Sequence, residues 1–177
     1  MPNWCDNVVM IRSSDKEELK MVREFLIDAR SEFSFNKIKP CPQALLNASA
    51  PNRSEQSIKY NISKYGAKDW YDWCVKNWGT KWNSRDVSVT EFYNGDDNQV
   101  AYSFSTAWSP PLEVYDKLAE MFPNINIFIN YDESGMGFSG WKYYADGECA
   151  GSKEYDGSYH GIRVFMEPDT EVWDYLE

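Results

Sequence analysis

Nothing constrains this chain more than Val100 to Trp108, nine residues that alternate without a break. Val100, Tyr102, Phe104, Thr106 and Trp108 share one side, and Ala101, Ser103, Ser105 and Ala107 share the other. Successive side chains of a strand point to opposite faces, so a period of two with every large residue on one side belongs to a strand packed on that side. Val87 to Tyr93 alternates as well, and Asn94-Gly-Asp-Asp-Asn98 lies between the two runs. Asn, Asp and Gly tolerate the positive φ of tight turns, so a hairpin is expected here.

The other elements arrange themselves around that hairpin. Asn3 to Ile11 reads as a strand. Ser14-Asp-Lys-Glu17 has capping-box form, and Leu19, Val22, Leu26 and Ala29 follow at helical spacing with Phe25 beside them. Phe33 to Ile38 reads as a short strand ended by Lys-Pro-Cys-Pro42, and the polar stretch 43–57 as a surface loop or insertion. From Lys68 a helix is expected, with Trp70, Trp73, Cys74 and Asn77 on one face and Gly79 as its stop. Ser109-Pro-Pro111 opens a further helix with Val114, Tyr115, Leu118, Met121 and Phe122 as its apolar stripe, ended by Pro123. Ile125 to Tyr131 alternates. Phe138 to Tyr144 and the stretch around Cys149 predict a second hairpin turning at Asp146-Gly147. Ile162 to Met166 predicts a last strand, and Asp169 caps a short helix with Val172, Trp173 and Leu176.

The order is β-α-β, an insertion, β-β-α-β and a β-rich tail. It implies an α+β fold with a ferredoxin-like split β-α-β core. The expected single domain has its core at about 1–38 and 86–131, a Trp-rich helical insertion at about 39–85, and a C-terminal extension at about 136–177. At 177 residues with 42% hydrophobic content, a chain of this kind can build a sizeable core.

Charge is unevenly spread. Residues 1–40 are neutral, 41–85 carry seven basic side chains against three acidic, and 86–177 carry four basic against eighteen acidic, for a net −10. A negative half repels long polyanions and suits a basic site on another protein. The four cysteines (Cys5, Cys41, Cys74, Cys149) are scattered, with no CxxC and one histidine, His160, so structural zinc is not expected and the thiols read as reduced. Met1 to Ile11 shows no signal peptide and no apolar run approaches the roughly 18 residues of a membrane span, so a cytoplasmic location is expected.

Four short stretches stand out: Met1-Pro-Asn-Trp-Cys5 with Asn7; Asn77-Trp-Gly-Thr-Lys-Trp82; Phe104-Ser-Thr-Ala-Trp-Ser-Pro-Pro111; and Tyr131-Asp-Glu-Ser-Gly135 with Phe138 and Gly140. In this order they resemble the YubB ferredoxin-like family, small proteins found mainly on phages and plasmids. The resemblance implies the ferredoxin-like fold and a mobile-element origin and assigns no activity.

These stretches admit two readings. In the first, which the sequence favours, Trp78, Trp82 and Trp108 stack with one another and with Trp4 in the core, while Thr80 and Asn77 satisfy backbone groups at a helix end. In the second, Lys81 and the indoles Trp78, Trp82 and Trp108 surround a pocket with Asn3, Asn77, Thr106 and Glu133 as polar groups, suited to a nucleobase, a nucleotide or a groove on a protein. Catalysis has little to stand on. There is no GxSxG, GxxxxGK[ST] or GxGxxG, and His160 falls in Gly157-Ser-Tyr-His-Gly161, a turn composition. No catalytic residue, metal or cofactor is expected.

The chain is therefore expected to be a non-enzymatic interaction protein of a phage or plasmid, acting in the host cytoplasm. It would inhibit a host defence system by presenting an acidic surface to a host or mobile-element protein. The alternative is a module that binds a nucleotide or single-stranded nucleic acid through the Trp-rich basic segment. The third is an enzyme on a small molecule, with no residue to nominate. Long duplex nucleic acid and membranes are not expected partners.

Overall fold

The alternating run from Val100 becomes the third of six strands along the chain, ending at Ala107 so that Trp108 lies just beyond it, in a computed structural model that describes residues 2–91 and 98–157. In chain order the elements are β1 (Trp4–Arg12), α1 (Lys16–Leu26), α2 (Phe35–Ile38), α3 (Gln43–Leu46), α4 (Glu55–Tyr65), α5 (Trp70–Trp78), β2 (Arg85–Glu91), β3 (Gln99–Ala107), α6 (Leu112–Met121), β4 (Asn126–Glu133), β5 (Phe138–Ala145) and β6 (Glu148–Asp156). The expected turn at 94–97, the strand Ile162–Met166, the helix after Asp169, and His160 lie outside the described residues.

The sheet order is β2-β3-β1-β4-β5-β6, and each neighbouring pair is antiparallel. β1 and β2 therefore run parallel to each other with β3 between them, the split β-α-β arrangement. β5 and β6 extend the sheet beyond β4 through a turn at Asp146 (φ 53°) and Gly147 (φ 79°), where the sequence placed it.

Helices α1 and α6 cover the same face. Leu19, Val22 and Leu26 of α1 and Val114, Tyr115 and Leu118 of α6 are buried against Cys5, Val9 and Ile11 of β1, Val100, Tyr102 and Phe104 of β3, and Ile127, Ile129 and Tyr131 of β4. Burying a large apolar side chain stabilises by about 1.5–3 kcal/mol, so this layer dominates the energetics. On the opposite face Phe128, Trp141 and Tyr143 form a second, smaller cluster. That is why β4 and β5 are buried on both sides where the sequence suggested alternation.

Three expectations need correction. Phe33–Ile38 is not a strand: Ser34 adopts an extended N-cap conformation and Phe35 to Ile38 form α2. Phe33 and Phe35 are both buried because their rings meet Phe104, at 5.1 and 5.7 Å between centroids, and a cap followed by a helix turn places them there as well as a pleat would. The strand parallel to β1 is thus β2, and the whole stretch from Ile27 to Ser84 is the insertion. Second, the cap of α1 is Asp15 and not Ser14, its carboxylate accepting from the Glu17 and Glu18 amides at 2.9 and 3.4 Å. Its last residue is Leu26, which leaves Ala29 exposed beyond it. Third, the polar stretch 43–57 holds α3, anchored by buried Leu45, and the start of α4, capped by Ser54.

The insertion is not a separate body. Phe33, Phe35, Ile38, Leu45, Trp73, Cys74 and Trp78 belong to the same cluster as the sheet and the long helices.

Candidate binding site

The site grows out of the end of α5. Asp69 caps that helix, its carboxylate accepting from the Asp72 amide at 3.0 Å. Trp73, Cys74 and Trp78 form its buried face. Gly79 terminates it with φ 79°, a left-handed conformation that glycine adopts without penalty. The chain that follows is stitched to the end of β3. The Thr80 hydroxyl donates to the Ala107 carbonyl at 2.9 Å, and the Ser109 hydroxyl donates to the Gly79 carbonyl at 2.5 Å.

Those two bonds put 79–82 and 106–109 side by side. Trp108 itself sits at φ 71°, an outlier for a bulky residue. It is held there by its amide, which donates to the Asn3 carbonyl at 3.0 Å, while the Thr106 hydroxyl donates to the Ser109 carbonyl at 2.8 Å. The surrounding structure stabilises the strained backbone, and the result is an indole turned outward.

Between the two indoles lies a cation. The Lys81 ammonium is 3.8 Å from the centre of the Trp82 ring and 3.9 Å from that of Trp108. Trp82 is 41% exposed and Trp108 38%, so neither ring is core. The series continues in both directions. Trp4 lies 6.2 Å from Trp82 and carries the Arg85 guanidinium 4.9 Å above it, and Tyr71 lies 6.5 Å from Trp108 and 6.1 Å from Trp70. Arg85, Trp4, Trp82, Lys81, Trp108, Tyr71 and Trp70 thus form one continuous row of rings and cations.

Two clefts open along it. One, of about 380 Å³, is lined by Ala50, Pro51, Lys68, Asp69, Trp70, Tyr71, Lys81 and Trp82. The other, of about 690 Å³, shares Trp70, Lys81 and Trp82 and adds polar groups, among them Arg30, Asn36, Gln43, Asn47 and Asn83. Asp69, the acidic member of the first cleft, is committed: besides capping α5 it accepts from the Asn52 amide at 3.1 Å. The balance of this cleft is therefore aromatic and cationic.

Of the residues singled out from the sequence, Lys81, Trp82 and Trp108 come together, and Asn3 adjoins them through its carbonyl. The others do structural work. Trp78 is 5% exposed, its Nε1 donates to the Lys39 carbonyl at 2.8 Å, and its ring meets Phe35 and Trp73 edge-on. Asn77 donates to the Trp73 carbonyl at 2.9 Å inside α5. Thr106 is buried and accepts from the Asn7 amide at 2.9 Å, while the Tyr115 hydroxyl donates to the Asn7 oxygen at 3.0 Å. Burial of this network pushes the neighbouring Cys5 thiol and Tyr115 hydroxyl well above their ordinary pKa values, so neither ionises. Glu133 is fully buried and closes a turn, accepting from the Met136 amide at 2.6 Å and the Gly135 amide at 3.2 Å.

Trp70, Tyr71, Lys68 and Arg85 were not singled out as site residues. A signal for Tyr71 was present: it falls off the apolar face of α5, and an aromatic on the solvent side of an amphipathic helix needs another partner. Among the described residues no three His, Cys, Asp or Glu side chains are grouped to hold a metal ion, and no helix is long and apolar enough to cross a membrane.

Residues 77–174 match the model of a family described as the ferredoxin-like domain in Api92-like protein. The fold is similar to the crystal structure of a protein api92 from Yersinia pseudotuberculosis, with a TM-score of 0.55 at 11% identity over 90% of this chain and 100% of that one. At that identity the likeness speaks to the fold alone. No curated protein matches the chain.

Proposed function

The chain belongs to the Api92-like family through its ferredoxin-like domain, and from that premise we propose that it is a non-enzymatic binding protein for short single-stranded nucleic acid or nucleotides. The observation that carries this reading is the row Arg85–Trp4–Trp82–Lys81–Trp108–Tyr71–Trp70, five rings with Lys81 set against two of them and Arg85 against a third, of which Trp82, Trp108 and Tyr71 are exposed. Unpaired bases stack on such faces whatever their sequence, and lysines beside them meet the phosphates. The flanking cleft, about 380 Å³, falls within the size of small-ligand pockets.

An acidic docking surface is the second reading: in the negative half Asp132 and Glu133 are buried, but Asp86, Glu113, Asp116, Glu120, Asp146, Glu148, Glu154 and Asp156 are exposed. The short motifs resemble those of phage and plasmid proteins, which supports a mobile-element origin. In that setting the ligand would come from the host cytoplasm, and withholding it would interfere with a host defence system.

The test is a titration of intrinsic tryptophan fluorescence with short single strands, mononucleotides and duplex. Single strands or mononucleotides should quench the wild type saturably, and Trp108→Ala should lose that response with its melting temperature nearly unchanged. Equal binding by Trp108→Ala, or no saturable quenching by any unpaired probe, would overturn the proposal.

A further inference from the structure

Resting on that binding site, we propose that the space between Trp82 and Trp108 is a slot for one unpaired nucleobase, filled in the ligand-free protein by Lys81, which leaves when the base arrives and then pairs with its phosphate. The geometry suits a flat ring. The ammonium lies 3.8 and 3.9 Å from the two ring centres, and carbon atoms in optimal contact are about 3.5–4.0 Å apart. A base ring centred where the ammonium now sits would lie within stacking distance of both indole centres.

Both walls are set in advance. Trp108 is fixed by its left-handed backbone and its bond to the Asn3 carbonyl, and Trp82 is backed by Trp4. A pre-formed slot loses little freedom on binding. Its occupant is held by two exposed cation–π contacts, each weaker than the stacking of a base on an aromatic face, and a base in the same place would meet both faces. Exchange therefore favours the ring. The released lysine has four flexible carbons and already lines the cleft that Lys68 shares, where a phosphate would meet two ammonium groups.

Other occupants fit less well. A cationic ligand would replace one ammonium by another and leave the displaced lysine without an anion. A peptide aromatic would bring no anion for the displaced lysine. Paired bases already stack on each other. The ligand is thus a nucleoside monophosphate unit, either free or as one residue of a single strand.

The displaced lysine can be observed directly. Lys81 side-chain protons, sandwiched between two indoles, should resonate strongly upfield through ring currents, assigned by their loss in Lys81→Ala. Saturating adenosine monophosphate should move them back to ordinary lysine positions. In fluorescence titrations, Lys81→Ala should bind uncharged adenosine several-fold more tightly than the wild type, because nothing need be displaced, and should lose the wild-type preference for the monophosphate. Tighter binding of hexadeoxyadenylate than of the monophosphate would identify a strand as the source, and equal binding a free nucleotide. Upfield Lys81 signals that persist in the nucleotide-bound protein would overturn the slot while leaving the binding site standing. So would a Lys81→Ala variant that loses monophosphate affinity with adenosine affinity unchanged, or one that prefers tetramethylammonium to adenosine. Failure of every probe to bind the wild type would overturn both.

Discussion

Trp78 and Trp82 are four residues apart in one motif, and their environments differ completely. Trp78 is wedged between Phe35 and Trp73 with its N–H satisfied, while Trp82 keeps 41% of its surface exposed. Trp78→Ala should therefore cost about 3–5 kcal/mol, a large share of a total stability of roughly 5–15 kcal/mol. Trp82→Ala should cost less than half as much and leave a folded protein. Urea melts of the two variants measure the difference, and equal losses would return Trp82 to the core. A second residue sets an acid limit. Burial opposes ionisation of Asp28, but the Ser34 hydroxyl and the Arg30 and Ser31 amides donate to its carboxylate and hold its pKa below the usual 3.8. A depressed pKa means stability that is complete above the ordinary value and is lost as pH falls through the folded one. Asp28→Asn should flatten the decline in melting temperature as pH falls below the usual 3.8, and an unaltered slope would show that the turn draws nothing from the charge. The sequence marked the Trp78–Trp82 motif but not how its members divide. Burial there is decided by the Thr80–Ala107 and Ser109–Gly79 contacts, which join chain segments some thirty residues apart.

At the scale of elements, the stop of α5 is also the positioning device of the site. A Cβ on Gly79 would run into the Glu113 carboxylate and come within 3.1 Å of the Pro110 carbonyl, on a backbone at φ 79°. Gly79→Ala should cost about 1–2 kcal/mol from the left-handed conformation alone. It should also shift 80–82 relative to 106–109 and lower ligand affinity, so a variant with full stability and full binding would refute the role given to this turn. Elements whose signal is local were legible: the period of β3 up to Ala107, the Gly79 stop, the Asp146-Gly147 turn and the Val114, Tyr115 and Leu118 stripe of α6 follow from their own residues, while Met121, expected in that stripe, is exposed and Trp108 falls beyond β3. α2 was not legible, because Phe33 and Phe35 alternate like a strand and only the aromatic cluster around Phe104 makes a cap and helix turn the better burial. The row of rings was invisible for a related reason. Its members come from the start of β1, α5, the loop after it, β2 and the residue after β3, and only the sheet order brings β1, β2 and β3 together.

For the whole molecule the governing quantity is the opposition between a basic segment and an acidic remainder. The cations of the row and of its cleft, Lys81, Arg85 and Lys68, all lie in residues 41–85, which carry a net +4, while residues 86–177 carry −14. A duplex long enough to meet the site would also run past that negative remainder, whereas a short strand need touch only the groove. Affinity for single strands falls with salt at a slope of about −0.7 per phosphate neutralised. If Lys68 and Lys81 neutralise two phosphates, the slope should be about −1.4, a loss of only about sevenfold between 50 and 200 mM salt. Random duplex should give no gel shift at micromolar protein and physiological salt. Fluorescence titrations of a short single strand across that salt range, run beside the duplex gel shift, measure both. A slope several-fold steeper would mean that the chain binds a polyanion along an extended surface despite its net −10, and a shifted duplex would mean the same. Either result would move the contact surface away from the Trp82–Lys81–Trp108 cluster, since two lysines between stacked rings have the charge for a short ligand and not for a helix of DNA.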